Sequence, residues 1–298
     1  MRQNYRRIEA VPRAGPFHGT SLLSKATQAD VVIEPFPHLV LRNVLAPEFC
    51  AQLLEETPSI ETLAQGRAFG SNQRISYPCH AARANWLVSK TWKRFLNEHV
   101  SQTFLDRLME LFGPSLRRLH PRFEERCGRI DRLRGGLRGG DGFDRADILL
   151  DAQICANTPV LHKASSVRGA HVDTSDKLFA GLYYLRHPAD DSAGGALQLY
   201  GPRAGSGLLA WPTSRKRFEL RRTIQYEHNV LVLFLNSIDS VHLVTPRSPT
   251  RYPRLLVNLV GSVREPLWSY QKRLYDRLRQ RILWNSATAM RWTEEEGR

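Results

Sequence analysis

Apolar positions in the N-terminal half of the chain recur at helical spacing. From Ser89 to Phe112, large apolar residues return every three or four positions, which predicts one long helix that Gly113-Pro114 ends. A shorter helix is predicted to begin at Ala46-Pro47-Glu48, because proline suits the first helical turn and glutamate there complements the helix dipole. The sequence therefore predicts a helical layer before residue 120.

The pattern in the second half changes to short apolar runs that turn-forming residues separate. These runs predict strands at 148–156, 179–185, 196–200, 230–235 and 255–260. Many short strands with regular turns are typical of a β-sandwich or barrel. A final helix is predicted from Leu267 to Trp284, where apolar residues again share one face. We expect a mainly β protein with flanking helices, in which the N-terminal helical layer packs on the barrel.

Three segments lack a clear period. Residues 1–30 are polar and patternless, which predicts a flexible arm, and 286–298 are expected to form a tail. The stretch from Arg132 to Gly142 is rich in glycine and arginine and is predicted to be a mobile loop. Residues 31–41 predict short extended strands that prolines interrupt. Residues 31–285 are therefore expected to form one domain.

The composition narrows the class of protein. Of the 298 residues, 42% are apolar and 24% are charged, which is the balance of a globular domain and not of a disordered chain. The chain has no apolar run long enough for a membrane helix, and its first 20 residues lack the apolar segment of a secretory signal. The four cysteines form no Cys-x-x-Cys pair, so we expect free thiols and a cytoplasmic location.

The formal net charge of +14 raises the question of a nucleic-acid partner. Most of the basic residues are arginine, and where they are densest, from Arg107 to Arg145, they alternate with acidic residues. A solvated basic face therefore explains the charge better than a binding surface does. Nucleic acid stays a possible partner at this point, and no membrane partner is expected.

Three residues carry candidate metal chemistry. His171 and Asp173 lie two positions apart, so in an extended chain both side chains point to the same side. His242 follows the apolar run 230–235 after a short polar turn, and two strands of a barrel would bring it beside the first pair. Two imidazoles and one carboxylate form the facial triad of non-haem Fe(II) oxygenases, which leaves positions for a bidentate co-substrate and for dioxygen. The alternative is that all three are ordinary polar residues in turns.

Further residues fit the binding of a 2-oxo acid. Arginine binds a carboxylate through two parallel hydrogen bonds, and both Arg251 and Arg254 follow His242. Arg254 begins the last predicted strand, and Pro253 makes a strand that begins at Arg251 less comfortable. Tyr184 offers a hydroxyl to the same carboxylate. Candidate cavity residues are Arg168, Gln153 and Asn157, for which surface or structural roles are the alternatives.

The order of these motifs resembles that of the 2-oxoglutarate- and Fe(II)-dependent dioxygenases, and the prolyl 4-hydroxylase-like branch in particular. The motifs are His171-Val172-Asp173, Leu182-Tyr183-Tyr184-Leu185, Gly194-Gly195-Ala196-Leu197, His242-Leu243-Val244-Thr245-Pro246 and Arg254 with its strand. They span residues 145–262, and a weaker likeness covers 31–57.

The resemblance implies a double-stranded β-helix, or jelly roll, with its core at about 145–262. It implies Fe(II) at His171, Asp173 and His242, with 2-oxoglutarate as co-substrate. It also implies that Arg254, or Arg251, pairs with the distal carboxylate of 2-oxoglutarate, and that Tyr184 assists. The carboxylate ligand favours a hydroxylase, which would use dioxygen and release succinate and carbon dioxide. The substrate, whether a small molecule, an amino acid or a protein side chain, cannot be read from the sequence.

Two other functions are compatible with the same residues. One is a metal-binding jelly roll without catalysis, and the other is an oxygenase that modifies nucleic acid.

Overall fold

The computed structural model describes residues 20–203 and 218–268. The helices of this part are α1 (Pro47–Glu55), α2 (Ile60–Ala64), α3 (Cys79–Ala84), α4 (Lys90–Glu98), α5 (Gln102–Leu119) and α6 (Phe123–Cys127), with 3-10 turns at Gln28–Asp30 and Ile130–Arg132. The strands are β1 (His38–Arg42), β2 (Arg74–Tyr77), β3 (Gly135–Leu137), β4 (Ile148–Asn157), β5 (Lys177–Tyr184), β6 (Leu197–Pro202), β7 (Phe218–Ile224), β8 (Val230–Leu235), β9 (His242–Val244) and β10 (Arg254–Val263). None of the helices in these two ranges is both long and apolar enough to cross a membrane.

The strands form two sheets between which the chain alternates. The larger sheet has the order β1-β8-β5-β10-β4-β2, with β3 beside β4, and the smaller sheet has the order β7-β6-β9. A backbone bridge between His171 and His242 adds the segment before β5 to the edge of the smaller sheet. From β4 onward the chain therefore runs large, small, large, small, small, large, small, large. This is the eight-stranded jelly roll that the sequence predicts.

Each strand of the larger sheet has an inner and an outer face, because successive side chains point to opposite sides. Leu182, Tyr184 and Leu256 face inward, where they join Leu197 and Leu199 of the smaller sheet in one buried cluster. The intervening residues face outward and pack with the helices in a second, larger cluster. The predicted helical layer on a β core is therefore confirmed.

The predicted helix over 89–112 is in fact two helices. Ser101 is the N-cap of α5, since its Oγ accepts a hydrogen bond from the backbone N–H of Phe104. A new helix therefore begins after Ser101. Gly113-Pro114 was expected to end the helix and instead lies inside α5. Pro114 has no N–H for the carbonyl of Glu110, and Gln28 Nε2 donates to that oxygen at 3.0 Å.

Other expectations need correction. Residues 20–30 do not belong to a loose arm, since Leu22, Leu23 and Ala26 are buried in the main core. The predicted loop over 132–142 contains β3, which pairs in parallel with β4. The short strands β2 and β7 were not predicted. All four cysteines are free thiols, as expected. The predicted tail and all but the first residues of the C-terminal helix lie outside the described residues.

Candidate metal and co-substrate site

His171, Asp173 and His242 lie together where the segment before β5 pairs with β9. The backbones of the two histidines exchange a pair of hydrogen bonds of 3.0 Å, and their ring centroids are 4.2 Å apart. One ligand atom from each of the three residues lies within 4.8 Å of the other two, and all three residues are buried. The structure thus brings together the three residues that the sequence singles out for a metal.

Both imidazoles are held in the same way. His171 Nδ1 donates to the carbonyl of Gly169 at 2.8 Å, and His242 Nδ1 donates to that of Ser240 at 2.9 Å. A carbonyl can only accept, so the proton is on Nδ1 and the lone pair is on Nε2 of each ring. Such a carbonyl partner fixes the tautomer and the orientation of a metal-binding histidine.

The charges around the cluster favour neutral imidazoles and an ionised carboxylate. Burial lowers the pKa of both histidines. Burial opposes ionisation of Asp173, but the positive charges of Lys177 and Arg168 outweigh it, and the pKa of this carboxyl lies below its usual range. Lys177 Nζ is 3.0 Å from Asp173 Oδ1.

This donor set fits a divalent transition metal. Two neutral imidazole nitrogens and one carboxylate oxygen are the ligands of the non-haem iron triad, and Fe(II) accepts that mixture. The ring of Phe234 lies 4.9 Å from the ring of His242, so one side of the cluster is apolar. His171, Asp173 and His242 would hold the ion, and the apolar side would limit access of water.

A second polar site lies inside the same barrel. Arg254, at the first position of β10, is only 2% exposed. Its guanidinium carbon lies 4.8 Å from the ring centroids of both Tyr184 and Tyr226. Nε and Nη2 of this guanidinium and the hydroxyl of Tyr184 have no hydrogen-bond partner in the described residues. Buried donors are nearly always paired, so these three groups fit a carboxylate ligand.

The structure separates the two arginines between which the sequence left a choice. Arg251 is exposed, and its Nη2 donates to the hydroxyl of Tyr252 at 2.9 Å. It precedes Pro253 in a bend outside β10, so its side chain is not brought into the barrel. The expectation that Arg251 contributes to the co-substrate site is therefore not supported by its position, whereas Arg254 and Tyr184 have the required placement.

The three candidate cavity residues lie in different surroundings. Gln153 and Asn157 share the inner face of β4, as their spacing predicts. Gln153 is hydrogen-bonded to Asp151 and Asn258, while Oδ1 of Asn157 has no partner in the described part of the chain. Arg168 is half-exposed, and its Nη1 lies 3.5 Å from Asp173 Oδ1.

Sequence reasoning missed three residues of the site. Lys177 contacts Asp173, Tyr226 packs against Arg254, and Arg247 lies buried beside them. Lys177 reaches Asp173 across the turn at 175–176, and a four-residue spacing outside a helix gives no signal for such a contact. Arg247 lies in a turn-like cluster of prolines and serine, where nothing in the sequence indicates burial.

Comparisons with known proteins give neighbours in structure alone. No protein-family model matches the chain, and no curated protein matches it. A prolyl-4-hydroxylase from Pseudomonas putida is similar at 12% identity and a TM-score of 0.40, with 76% of this chain and 93% of that chain covered. Prolyl 4-hydroxylase from Phytophthora capsici is similar at 16% identity and a TM-score of 0.46, with 92% of this chain and 82% of that chain covered.

A dioxygenase for auxin oxidation from rice is similar at 13% identity and a TM-score of 0.43, with 82% of this chain and 85% of that chain covered. Such values are too low to transfer an activity, so a function has to be argued from the residues of the site.

Proposed function

We propose that this protein is an Fe(II)- and 2-oxoglutarate-dependent dioxygenase that hydroxylates a substrate still to be identified. One observation carries the proposal: a buried cluster of two histidines and an aspartate shares a barrel with buried Arg254, whose Nε and Nη2 have no hydrogen-bond partner in the described part of the chain. The first group fits the metal, and the second fits the far carboxylate of the co-substrate.

The metal ligands act through their fixed geometry. With Fe(II) bound, the centre supplies the redox chemistry that couples decarboxylation of 2-oxoglutarate to oxidation of a substrate C–H bond. His171 and His242 would hold the metal through Nε2, because the carbonyls of Gly169 and Ser240 occupy both Nδ1 protons. Asp173 supplies the anionic ligand, and Lys177 holds its Oδ1 in place.

Arg254 and Tyr184 position the co-substrate. The guanidinium binds the distal carboxylate through two hydrogen bonds, and the tyrosine hydroxyl donates a third. Both groups are buried, and a charge-assisted hydrogen bond is stronger in the protein interior than in water. Binding at the distal end sets the 2-oxo acid end at a fixed distance from the metal ligands.

Succinate formation tests the proposal. Purified protein with Fe(II), 2-oxoglutarate and ascorbate is screened against amino acids, peptides and sugar or nucleotide conjugates. Wild type is expected to form succinate slowly alone and faster with a substrate, whereas His171→Ala and Asp173→Ala abolish it. His162→Ala, at an exposed histidine, is the matched control and keeps the activity. Full turnover in both ligand variants contradicts the proposal, as does iron binding without any consumption of 2-oxoglutarate.

A further inference from the structure

A second arginine is buried next to Arg254 and has no role in the site described so far. Arg247 is 2% exposed, and its Nη2 donates to the carbonyl of Tyr252. Its Nε and Nη1 are buried and have no hydrogen-bond partner in the described residues. An arginine this deeply buried is expected to be paired, because removal of a charge from water is costly.

The two arginines meet at one point. A Cβ placed on Gly195 would lie 3.5 Å from Cδ of Arg247 and 3.5 Å from Nε of Arg254. Both arginine side chains therefore lie within contact distance of the same point beside Gly195. Asp190 and Tyr226 interact electrostatically with Arg247 as well, so all these groups line one region of the barrel.

The protein charges in this region do not balance. Asp190 is buried there, and its Oδ2 lies 3.7 Å from Nε of Arg186. Arg186 already donates to the carbonyls of Tyr226, Asp190 and Ser192. Of the three buried aspartates in the described ranges, Asp151 and Asp173 have other partners. One carboxylate therefore faces three guanidiniums, and the excess positive charge calls for an anionic ligand.

The backbone of Arg247 is fixed on both sides, which suits a binding residue. It exchanges hydrogen bonds of 2.9 and 3.1 Å with Ser165, and it forms a bridge with Gly194. Its side chain therefore enters the barrel from an anchored position.

We propose that Arg247 is a second specificity-determining arginine of the co-substrate pocket and that, with Arg254, it selects a 2-oxo acid with a distal carboxylate. This inference rests on the proposed function and adds a residue to it. A carboxylate has about four lone-pair sites, so one guanidinium does not saturate it. Arg254 and Tyr184 fill three of these sites in the proposed function, which leaves at least one for Nε or Nη1 of Arg247, both without a hydrogen-bond partner in the described residues.

Ligand binding without turnover tests the inference. Full-length protein is loaded with Mn(II), and calorimetry measures the Kd for 2-oxoglutarate and for 2-oxobutyrate, which lacks the distal carboxylate. The measured quantity is the Kd for 2-oxobutyrate divided by the Kd for 2-oxoglutarate, in wild type, Arg247→Gln, Arg247→Lys and Arg254→Gln. Arg251→Gln, at the exposed neighbouring arginine, is the matched control.

The two-arginine pocket predicts a specific loss of discrimination. Arg247→Gln lowers the ratio about tenfold or more, because it weakens the binding of 2-oxoglutarate alone. Arg247→Lys lowers it about threefold, because lysine cannot bind a carboxylate in the bidentate geometry of arginine. Arg251→Gln changes it less than about twofold. If Arg247→Gln does not fold, the lysine variant decides.

Two outcomes overturn the inference in distinguishable ways. A ratio unchanged in the folded Arg247 variants, or equal weakening of both ligands, means that Arg247 is structural. If Arg254→Gln still loses 2-oxoglutarate in that experiment, the proposed function stands and the inference alone fails. Wild type that binds neither 2-oxo acid contradicts both.

Discussion

Gly194→Ala is predicted to break the site through the backbone alone. Gly194 has a φ of +79°, and a Cβ there would lie 1.8 Å from the carbonyl oxygen of Pro246. An L-residue in this conformation costs about 1–2 kcal/mol. The contact is with backbone, so it is relieved only if the segment that follows β9 moves away from the turn before β6.

That movement breaks hydrogen bonds that hold the two segments together. Ser248 N donates to the carbonyl of Ala193 at 2.9 Å, and Gly195 N donates to that of Thr245 at 3.3 Å. Each is worth about 1 kcal/mol, so the variant is expected to lose at least about 3 kcal/mol of its free energy of unfolding. Since β9 begins with His242, the geometry of the metal cluster is lost with it.

Gly195→Ala is the matched control. Its φ of +74° imposes the same conformational cost, but its Cβ would meet its neighbours only at 3.5 Å or more, which is ordinary contact. We expect a loss of about 1–2 kcal/mol. Urea denaturation gives both values, and Fe(II) dialysis reports on the cluster. Equal destabilisation of the two variants would show that the contact with Pro246 is not what Gly194 avoids.

Three further predictions separate the core from the site. Burial lowers the pKa of His99 to about 4, whereas the same imidazole in the unfolded chain binds a proton near pH 6.5. The free energy of unfolding therefore falls by roughly 3 kcal/mol from pH 6.5 to pH 4. Denaturation of His99→Gln over this range is expected to lack this pH dependence. Ser101→Ala removes the cap of α5 and lowers the unfolding free energy by about 1 kcal/mol, and Ser101→Thr, measured beside it, restores most of it. Phe234→Ala and Trp92→Ala are each expected to lower the free energy of unfolding by about 3–5 kcal/mol. Only Phe234→Ala is expected to weaken Fe(II) binding in dialysis, because the ring of Phe234 packs on His242 whereas Trp92 lies in the helical layer. Unchanged Fe(II) binding in Phe234→Ala would refute a role of this ring at the metal site.

The core strands were predictable because their apolar residues are buried on both faces. β4, β5, β8 and β10 read as short apolar runs, and their observed bounds differ little from the predicted ones. β2 and β7 carry charged and polar residues on an exposed face, so the same criterion misses them. The break between α4 and α5 depends on one serine cap inside an otherwise continuous helical period.

The candidate metal cluster could be predicted, but its surroundings could not. His171 and Asp173 are close in sequence, and His242 follows the recognisable strand β8 after a short turn, so the pattern predicts that they meet. The burial of Arg247 depends on how the turn after β9 folds back onto Ser165 and Gly194, which are remote in sequence. The choice between Arg254 and Arg251 likewise depends on the residue at which β10 begins, and only the structure shows that this residue is Arg254.

If His171, Asp173 and His242 form one metal centre, anaerobic equilibrium dialysis will find one Fe(II) bound per chain in wild type. At the same free concentration it will find none in the single alanine variant of each residue, all of them folded by circular dichroism. Retention of a full equivalent of Fe(II) in all three variants would contradict this metal centre.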